Sequence, residues 1–310
     1  MTQKESQVPH LDAFIFRIAE QRRYSDYTVR NYKNSVEEWW EWLNQNDFFR
    51  GDISKIEKRI AKDYVAELAR KYSRNTLHNK ISALRSFYKF LIQTKDAETD
   101  PFSLIRLPKT KRSLPVFLNQ AQIPELMEAP KDSAQKSHKS GPRADFERAC
   151  DTLILEMLYA TGMRVSEICS IKWSDIDDER RIIRVLGKGN KVRFCPYGNK
   201  AAEALSEWRQ AVSGRPSANG AVLSTYSGAK MYPRYIQRIL KKYLSQSNLP
   251  MNITPHKLRH SFATHLVNEN VNLRALQEML GHANLSTTQI YTHLGTKQLQ
   301  AEYNRHHPRA

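Results

Sequence analysis

The sequence is poor in cysteine, in long apolar runs and in targeting signals. Its three cysteines are Cys150, Cys169 and Cys195, and an odd number of widely spaced thiols fits neither a disulfide framework nor a zinc module. No run approaches the roughly 18 apolar residues of a membrane span, and residues 1–10 lack the basic and apolar regions of a signal peptide. We therefore expect a cytoplasmic protein that does not use a membrane and keeps its thiols reduced in the core.

Two common cofactor motifs are also missing. The sequence has no Gly-x-x-x-x-Gly-Lys-Ser/Thr, which argues against ATP binding, and the Gly-Lys-Gly string at 187–189 lacks the third glycine of a dinucleotide-binding motif. His256 and His260 have the i, i+4 spacing of a helical zinc pair, but Lys257 stands where a zinc protease has its glutamate base. We therefore expect neither a metal ion nor a cofactor.

Basic residues are in large excess. Lys and Arg number 49 against 32 Asp and Glu, which gives a formal net charge of +17 over 310 residues. The hydrophobic fraction of 40% indicates a folded chain, and the length favours about two domains. Such a charge attracts polyanions, and nucleic acid is the commonest one that a soluble basic protein meets. Charge alone leaves RNA and anionic membrane surfaces open as partners.

Apolar residues at helical spacing predict four helices in the N-terminal third of the chain and no strand. The apolar stripes cover residues 11–18, 29–43, 60–68 and 77–91. We expect these helices to form one domain over residues 1–105. Between 106 and 115 the periodicity stops, and the basic, proline-containing sequence is typical of a linker.

Basic residues on the fourth predicted helix and in the linker are candidates for contact with a nucleic-acid backbone. On the helix they are Arg74, His78, Lys80 and Arg85, and in the linker Lys109, Lys111 and Arg112. A helix face of this kind is also compatible with simple solvation, and a linker of this kind with a flexible spacer. The alternative in which both segments lie along DNA would let the two domains clamp a duplex.

The remainder, residues 116–310, predicts a second domain that is mostly helical with a small antiparallel sheet. Helical patterns include a segment that ends at Gly162, a favourable left-handed cap residue. Further helical patterns cover residues 235–244, 256–267, 273–280, 285–293 and 296–303. The polar stretch 131–143 is expected to form an exposed loop.

A β-hairpin is predicted within this second domain. Ile183 and Val185 on one strand are answered by Val192 and Phe194 on the other, across a Gly-Lys-Gly-Asn turn at 187–190. The predicted fold class is therefore mainly α with a small antiparallel sheet.

Short motifs occur in an order and spacing that resemble the tyrosine recombinases of the phage integrase family. They are ATGMRVSE at 160–167, HKLRH at 256–260, LGHANLSTTQIYTH at 280–293 and the ending HHPRA at 306–310. The last two resemble the bacterial Xer recombinases, which resolve chromosome dimers. The resemblance spans nearly the whole chain and implies an N-terminal four-helix core-binding domain followed by an α+β catalytic domain.

The residue types suit the breaking of a phosphodiester bond. This reaction needs a nucleophile, relief of negative charge on the phosphate and a proton for the departing oxygen. Arg164 and Arg259 can each donate a bidentate pair of hydrogen bonds to a phosphate. Tyr291 is the candidate nucleophile, because a phosphotyrosyl ester keeps the bond energy for rejoining. We expect Tyr243 and Tyr303 to be core or interface residues instead.

The resemblance supplies roles for the other candidate catalytic residues. In the family resembled, a hairpin lysine is the general acid that protonates the leaving 5′ hydroxyl, and Lys188 matches it. His256 matches the histidine that assists proton transfer with the tyrosine, and His282 matches the one that hydrogen-bonds the scissile phosphate. Glu167 and His260 are candidate supports for this set.

The resemblance implies a site-specific recombinase that cuts and rejoins double-stranded DNA at a dif-like site, through a 3′-phosphotyrosyl bond and a Holliday junction. It implies a ring of four protomers, formed with itself or with a sister Xer recombinase, in which the segment 296–310 docks onto the next subunit. Association with the nucleoid and control by a septal DNA translocase of the FtsK type follow from the same resemblance.

Three other functions stay open at the level of sequence. A phage or mobile-element integrase shares the catalytic set, although a first helix that begins near Leu11 leaves no room for the arm-binding domain of the larger integrases. A type IB topoisomerase shares the tyrosine chemistry. A DNA-binding architectural protein could keep the fold and lack the chemistry, and covalent attachment to DNA distinguishes it from an enzyme.

Overall fold

The chain divides into two compact units, Met1–Ser113 and Leu114–Ala310. The computed structural model describes residues 8–22, 24–46, 52–109, 116–137, 141–187, 191–215, 217–281 and 295–310. Each unit has a hydrophobic core of its own. The described residues are mostly helical with a small antiparallel sheet, which confirms the predicted fold class.

The first unit contains the four predicted helices. They are α1 (Leu11–Phe16, continued by a π-helical turn over Arg17–Gln21), α2 (Asp26–Asn44), α3 (Lys58–Lys71) and α4 (Arg74–Gln93). Serine side chains cap two of them, since Ser25 Oγ accepts from Thr28 N and Ser73 Oγ accepts from Thr76 N, both at 3.3 Å. Such caps satisfy backbone donors that have no partner within the helix.

Aromatic side chains fill the core of the first unit. Trp39 and Tyr88 are fully buried, and Trp39 Nε1 donates to Tyr88 Oη at 3.2 Å. Tyr88 Oη in turn donates to the Ile53 carbonyl at 3.0 Å. Each polar atom of these large rings thus has a partner, so their burial costs no unpaired hydrogen-bonding group.

In its described residues the second unit has eight α-helices and three short strands, besides short 3-10 turns at Trp173–Asp175 and Ala218–Gly220. The helices are α5 (Gln122–Ser137), α6 (Pro142–Ala160), α7 (Val165–Ile168), α8 (Asn199–Ala211), α9 (Pro233–Gln246), α10 (Pro255–Asn268), α11 (Leu273–Leu280) and α12 (Thr296–His306). The strands are β1 (Ile176–Asp177), β2 (Ile182–Leu186) and β3 (Val192–Pro196), paired antiparallel in the order β1-β2-β3.

Helix α6 is the central element of the second unit. Every residue from Ala149 to Ala160 is buried, and α5 and α8 pack against the helix. The helix ends where the sequence predicts, because Gly162 adopts the left-handed conformation with φ +56. A Cβ at this position would lie 2.5 Å from Phe262 Cδ1, so glycine is required for space as well as for conformation.

The stretch 131–143 is helical over most of its length, and the expectation of an exposed loop is wrong. Helix α5 continues through Pro130 to Ser137, and α6 begins at Pro142. Residues 138–140 lie outside the described part of the chain. The polar composition misled because a helix that packs along one side carries an equally polar solvent face.

The predicted hairpin is confirmed, but the two faces of β3 differ from the expectation. Val192 and Phe194 are 48% and 36% exposed, whereas Arg193 and Cys195 are buried. The register sets Arg193 opposite Val185, on the core side of the sheet. An arginine therefore occupies an inward position that alternation of apolar residues would not assign to it.

The C-terminal segment packs against its own unit. Leu299 and Tyr303 of α12 are buried, and the His307 ring stacks on Tyr303 with centroids 4.5 Å apart. Arg309 then forms an ion pair with the buried carboxylate of Glu156, with Nε donating to Oε2 at 3.3 Å. The apolar side that the sequence gives to this helix is thus covered within the chain.

The three cysteines are buried and free, which confirms the prediction of reduced core thiols. Burial raises the pKa of the Cys195 thiol to about 11, so it is protonated at neutral pH. Tyr243 and Tyr303, predicted to be core or interface residues, are buried in the core. In the described residues, no helix combines the length and the apolar character that crossing a bilayer requires.

Candidate active site

Arg164 lies at the junction between α6 and α7, where it occupies the N-cap position of α7. Its backbone N–H donates to Glu167 Oε2 at 2.6 Å, and its Nη1 donates to Glu167 Oε1 at 2.9 Å. The side chain is nevertheless 41% exposed. The guanidinium is therefore held in orientation by a carboxylate while part of its surface stays open to a ligand.

Glu167 is the buried centre of the site. Besides Arg164, it accepts from both terminal nitrogens of Arg193, with Nη1 at 2.8 Å from Oε1 and Nη2 at 2.7 Å from Oε2. Burial alone would raise the pKa of this carboxyl, but the hydrogen bonds from Arg193 and Arg164 lower it below its ordinary value. Glu167 is therefore a carboxylate at neutral pH, and its geometry fits the supporting role predicted for it.

Arg193 is a residue of this site that the sequence reasoning missed. It projects inward from β3, is 9% exposed, and donates from Nε to the Met279 carbonyl at 2.9 Å. Burial would lower the pKa of its guanidinium, but the hydrogen bonds and charge of Glu167 raise it instead. The period-two alternation of the strand places Arg193 on the same face as Cys195, which is the one signal in the sequence that could have revealed it.

Arg259 is buried on α10 and joins the ends of two other helices. Its Nη1 donates to the Gly162 carbonyl at 2.6 Å, and its Nη2 donates to the Leu280 carbonyl at 2.5 Å. Burial and the nearby charges of Arg164 and Arg193 lower the pKa of Arg259 to about 10. The guanidinium remains charged at neutral pH, and its interaction with the other two arginines places all three in one electrostatic cluster.

The end of α11 is held by two of these arginines. Arg193 and Arg259 bind the consecutive carbonyls of Met279 and Leu280, and α11 terminates at Gly281 with φ +65. A Cβ at Gly281 would lie 2.8 Å from Arg193 Cδ, so glycine allows the arginine to pass close to the backbone. The chain then continues into the segment 282–294.

Three of the six predicted catalytic residues lie outside the described part of the chain. They are Lys188, His282 and Tyr291, and the predicted helix 285–293 lies there too. The structure describes the hairpin on either side of residues 188–190. There Gly187 N donates to the Lys191 carbonyl at 2.8 Å, across the two strands. The roles of these residues remain predictions.

Helix α10 carries the two histidines of the HKLRH motif. His256 is exposed and lies three residues before Arg259, so the helical repeat places them on neighbouring positions of one side. His260 is also exposed, with its ring centroid 6.1 Å from that of Phe117. The catalytic role of His256 and the supporting role of His260 remain predictions. Among the described residues, no three metal-ligating side chains cluster closely enough to hold a metal ion.

Two of the predicted DNA-binding residues on α4 are half-buried and have partners in the protein. Arg85 donates from Nη2 to the carbonyls of Phe102 at 3.0 Å and Ile105 at 2.8 Å. Lys80 forms an ion pair with Glu38 and is 16% exposed. Arg85 thus holds the segment 102–105 against α4, and Lys80 links α4 to α2. Contact of either residue with DNA remains a prediction.

Arg74 and His78 bind the start of the predicted linker. Arg74 Nη1 donates to the Lys109 carbonyl at 3.0 Å, and His78 Nε2 donates to the Pro108 carbonyl at 2.9 Å. The other two linker candidates, Lys111 and Arg112, lie outside the described residues. The basic face of α4 therefore orients the first residues of the linker.

Helix α9 presents a basic surface that the sequence reasoning did not single out. Its exposed cations are Arg234, Arg238, Lys241 and Lys242. Lys242 Nζ donates to the buried Asp151 at 3.0 Å, and Arg238 Nη2 donates to Tyr232 Oη at 3.2 Å. The recurrence of Lys and Arg every three or four residues was the available signal, since it places them on one helix face.

The chain matches two family profiles. That of the phage integrase family matches residues 116–298, and that of the phage integrase N-terminal SAM-like domain matches residues 11–95. The chain is 40% identical to tyrosine recombinase XerC of Bacillus subtilis (strain 168), over 96% of this chain and 95% of that protein. It is 37% identical to tyrosine recombinase XerC of Pediococcus pentosaceus, over 94% of this chain and 95% of that protein.

Solved structures share the fold. The XerH site-specific recombinase bound to a palindromic difH substrate has a TM-score of 0.68 at 22% identity, covering 94% of this chain and 83% of that one. The Tn1549 transposon integrase in complex with circular intermediate DNA has a TM-score of 0.65 at 22% identity, covering 94% and 98%. Because one family profile spans more than half of the chain and relatives match along its length, the chain belongs to the phage integrase family, as a tyrosine recombinase of the Xer type.

Proposed function

We propose that this protein cuts and rejoins double-stranded DNA at a dif-like site and thereby resolves chromosome dimers. The observation that carries the proposal is the cluster of Arg164, Arg193 and Arg259 around Glu167, which concentrates positive charge beside an exposed guanidinium. The XerC proteins related to the chain along its length support the same activity. The XerH recombinase, solved with difH DNA, supports it through the shared fold.

The arginines act on the scissile phosphate. Arg164 binds a non-bridging oxygen, and Arg259 supplies a second positive charge beside it. In the transition state the phosphorus is bonded to five oxygens and the negative charge on the non-bridging oxygens increases. Fixed guanidiniums stabilise this charge without having to reorganise, and this raises the rate of the reaction.

Tyr291 is the nucleophile in this mechanism. Its Oη attacks the phosphorus and forms the tyrosyl–phosphate bond, while the bond from phosphorus to the 5′ oxygen breaks. The phenolic proton passes to His256, and Lys188 protonates the departing 5′ oxygen, so that each proton has a stated donor and acceptor. The DNA strand is left attached to the protein through its 3′ phosphate.

Strand exchange reverses the same step. A 5′ hydroxyl of the partner duplex attacks the phosphotyrosyl bond, the tyrosine leaves, and a Holliday junction forms after one pair of strands has been exchanged. One phosphodiester replaces another, so the reaction is nearly isoenergetic and needs no ATP. The second pair of strands is then exchanged in the same way.

The exposed cations of α9 supply part of the DNA-binding surface in this proposal. Arg238 and Lys241 lie on one exposed face of the helix, and a helix of this size fits the major groove. The predicted contacts of Arg74 and Lys109 add backbone binding from the first unit. Phosphate contacts of this kind make the affinity for DNA fall with rising salt.

The active assembly is a ring of four protomers, built from this chain alone or with a sister Xer recombinase. The segment 296–310, which packs on its own unit in the single chain, docks onto the next protomer in the ring. The buried ion pair of Arg309 with Glu156 offers a specific contact that can form in either arrangement. The complex acts in the cytoplasm on the nucleoid, under the control of a septal DNA translocase.

A plasmid with two directly repeated dif-like sites tests this function. We expect the purified protein, alone or with the second Xer recombinase of its host, to resolve the plasmid into two circles without ATP. A plasmid with a single site is the matched control and yields no smaller circles. Intact plasmid in both protein combinations, despite demonstrated binding to the site, would contradict the proposal.

A further inference from the structure

We propose that Arg193 is a positioning residue of the recombination site, which neutralises Glu167 so that Arg164 can present its full positive charge to the scissile phosphate. The inference rests on the proposed function and extends it to a residue outside the predicted catalytic set. Arg193 itself is buried and has no exposed surface comparable to that of Arg164. It therefore acts through its neighbours and not by touching DNA.

The geometry links Arg193 to three parts of the site. Its two terminal nitrogens bind both oxygens of Glu167, which also receives the Arg164 guanidinium and backbone N–H. Its Nε binds the Met279 carbonyl, and its side chain passes Gly281 at the start of the segment that carries Tyr291. Each of the three guanidinium nitrogens thus donates to a partner in one fixed planar arrangement, which a lysine cannot reproduce.

The charges explain why a second arginine is needed. A carboxylate that pairs with Arg164 alone would hold its side chain in place but would also cancel its charge. In the structure Glu167 is shared between two guanidiniums, and the more buried one, Arg193, makes the bidentate pair. Arg164 is thereby oriented by Glu167 and keeps a net positive field toward solvent.

Stability alone does not account for this arrangement. A buried ion pair is expensive to desolvate, and apolar residues of similar volume commonly replace one at little or no loss of stability. The inward face of β3 accommodates an uncharged side chain, since the next inward position is occupied by the buried Cys195. The arginine at this position is explained by its pairing with Glu167.

Four variants separate this role from a structural one. Arg193→Met removes the charge and leaves Glu167 paired with Arg164 alone. Arg193→Lys keeps a positive charge but cannot make the bidentate pair with Glu167. The double variant Glu167→Gln with Arg193→Met removes both charges, and Arg184→Met is the matched control. Arg184 pairs with Asp175 at 2.8 Å on the exposed side of the same hairpin.

Cleavage is measured in single turnover on a nicked suicide duplex that carries a dif-like site, at DNA concentrations that saturate each variant. We expect Arg193→Met to cleave about 100-fold more slowly than the wild type, as for loss of a charge-stabilising group. Arg193→Lys should be within about 10-fold of the wild type, and the double variant should recover about 10-fold over Arg193→Met. Arg184→Met should cleave at the wild-type rate.

A second substrate identifies the affected group. In a duplex with a neutral methylphosphonate at the scissile position, the arginines have less charge to stabilise, so we expect the deficit of Arg193→Met to shrink to below about 10-fold. An equal deficit on both substrates, or a double variant no faster than Arg193→Met, would overturn the inference while leaving the proposed function intact. Absence of cleavage by the wild type would overturn the proposed function and this role with it.

Discussion

At the scale of single residues, the role of each arginine in the site depends on the partner that it binds. Arg164 and Arg193 bind the Glu167 carboxylate, whereas Arg259 binds the carbonyls of Gly162 and Leu280. Arg164, Glu167 and Arg259 were singled out by motif, and the structure brings them together. The sequence does not predict the burial of Arg193, because polar residues in a strand are expected to face solvent. Only the fold supplies the Glu167 carboxylate and the Met279 carbonyl that offset the desolvation of its guanidinium. Similarly, nothing in the sequence around Arg85 indicates that its guanidinium donates hydrogen bonds to the backbone carbonyls of Phe102 and Ile105.

His307 makes the stability of the protein depend on pH. Burial, with the nearby charges of Arg309 and His265, lowers the pKa of His307 to about 3. Below pH of about 6.5 the unfolded chain takes up a proton that the folded chain does not, so the free energy of unfolding decreases as the pH falls toward 3. We expect His307 to account for about 2 kcal/mol of lost stability between pH 7 and pH 5.

The variant His307→Phe tests this expectation, because it keeps a ring against Tyr303 and removes the titrating group. Thermal unfolding at pH 7 and pH 5 should show a smaller acid loss in His307→Phe than in the wild type. Tyr303→Phe perturbs the same cluster and should keep the wild-type loss. An identical acid loss in His307→Phe and the wild type would refute the assignment.

At the scale of elements, the sequence predicts helices whose apolar stripe runs along their whole length, but it does not predict the polar C-terminal end of α5. The stripes of α2 and α4 identify both helices, and their serine caps mark where they begin. The sequence of 131–143 predicts a loop, because Pro130 and the polar composition hide the continuation of α5 to Ser137. The hairpin was predictable from its turn, whereas the side of β3 that faces the core depends on the partners of Arg193.

The end of α6 offers a test of how tightly an element boundary is coupled to the site. Gly162 combines φ +56 with contact to Phe262, and its carbonyl accepts from Arg259. We expect Gly162→Ala to lower the free energy of unfolding by about 3 kcal/mol, from left-handed strain plus the clash, and to slow DNA cleavage.

Gly214→Ala is the matched control for this prediction. Gly214 also has a positive φ, +72, but a Cβ there would meet no atom within 4 Å. Its substitution should cost about 1 kcal/mol from backbone strain alone and leave cleavage unchanged. Chemical denaturation of both variants measures the difference, and equal losses would show that the contact with Phe262 carries no energetic weight.

At the scale of the whole molecule, net charge and motif order together predict the function more narrowly than either does alone. The net charge of +17 indicated a polyanion without distinguishing DNA from other partners. The motifs between 160 and 310 supplied the family, and the full-length relatives support it. The partners of the C-terminal segment were less predictable, because its apolar side is equally compatible with packing on its own unit or on another protomer.

Covalent attachment of Tyr291 to DNA separates a tyrosine recombinase from a protein that only binds DNA. The most direct measurement is incubation of wild type and Tyr291→Phe with a nicked suicide duplex that carries a dif-like site, followed by denaturing electrophoresis and peptide mapping of the shifted band. We expect a covalent protein–DNA band with the wild type alone, and the modified peptide should contain Tyr291. A band that persists in Tyr291→Phe would show that Tyr291 is not the nucleophile, and a wild type that binds the site and forms no band would show that the protein does not cleave it.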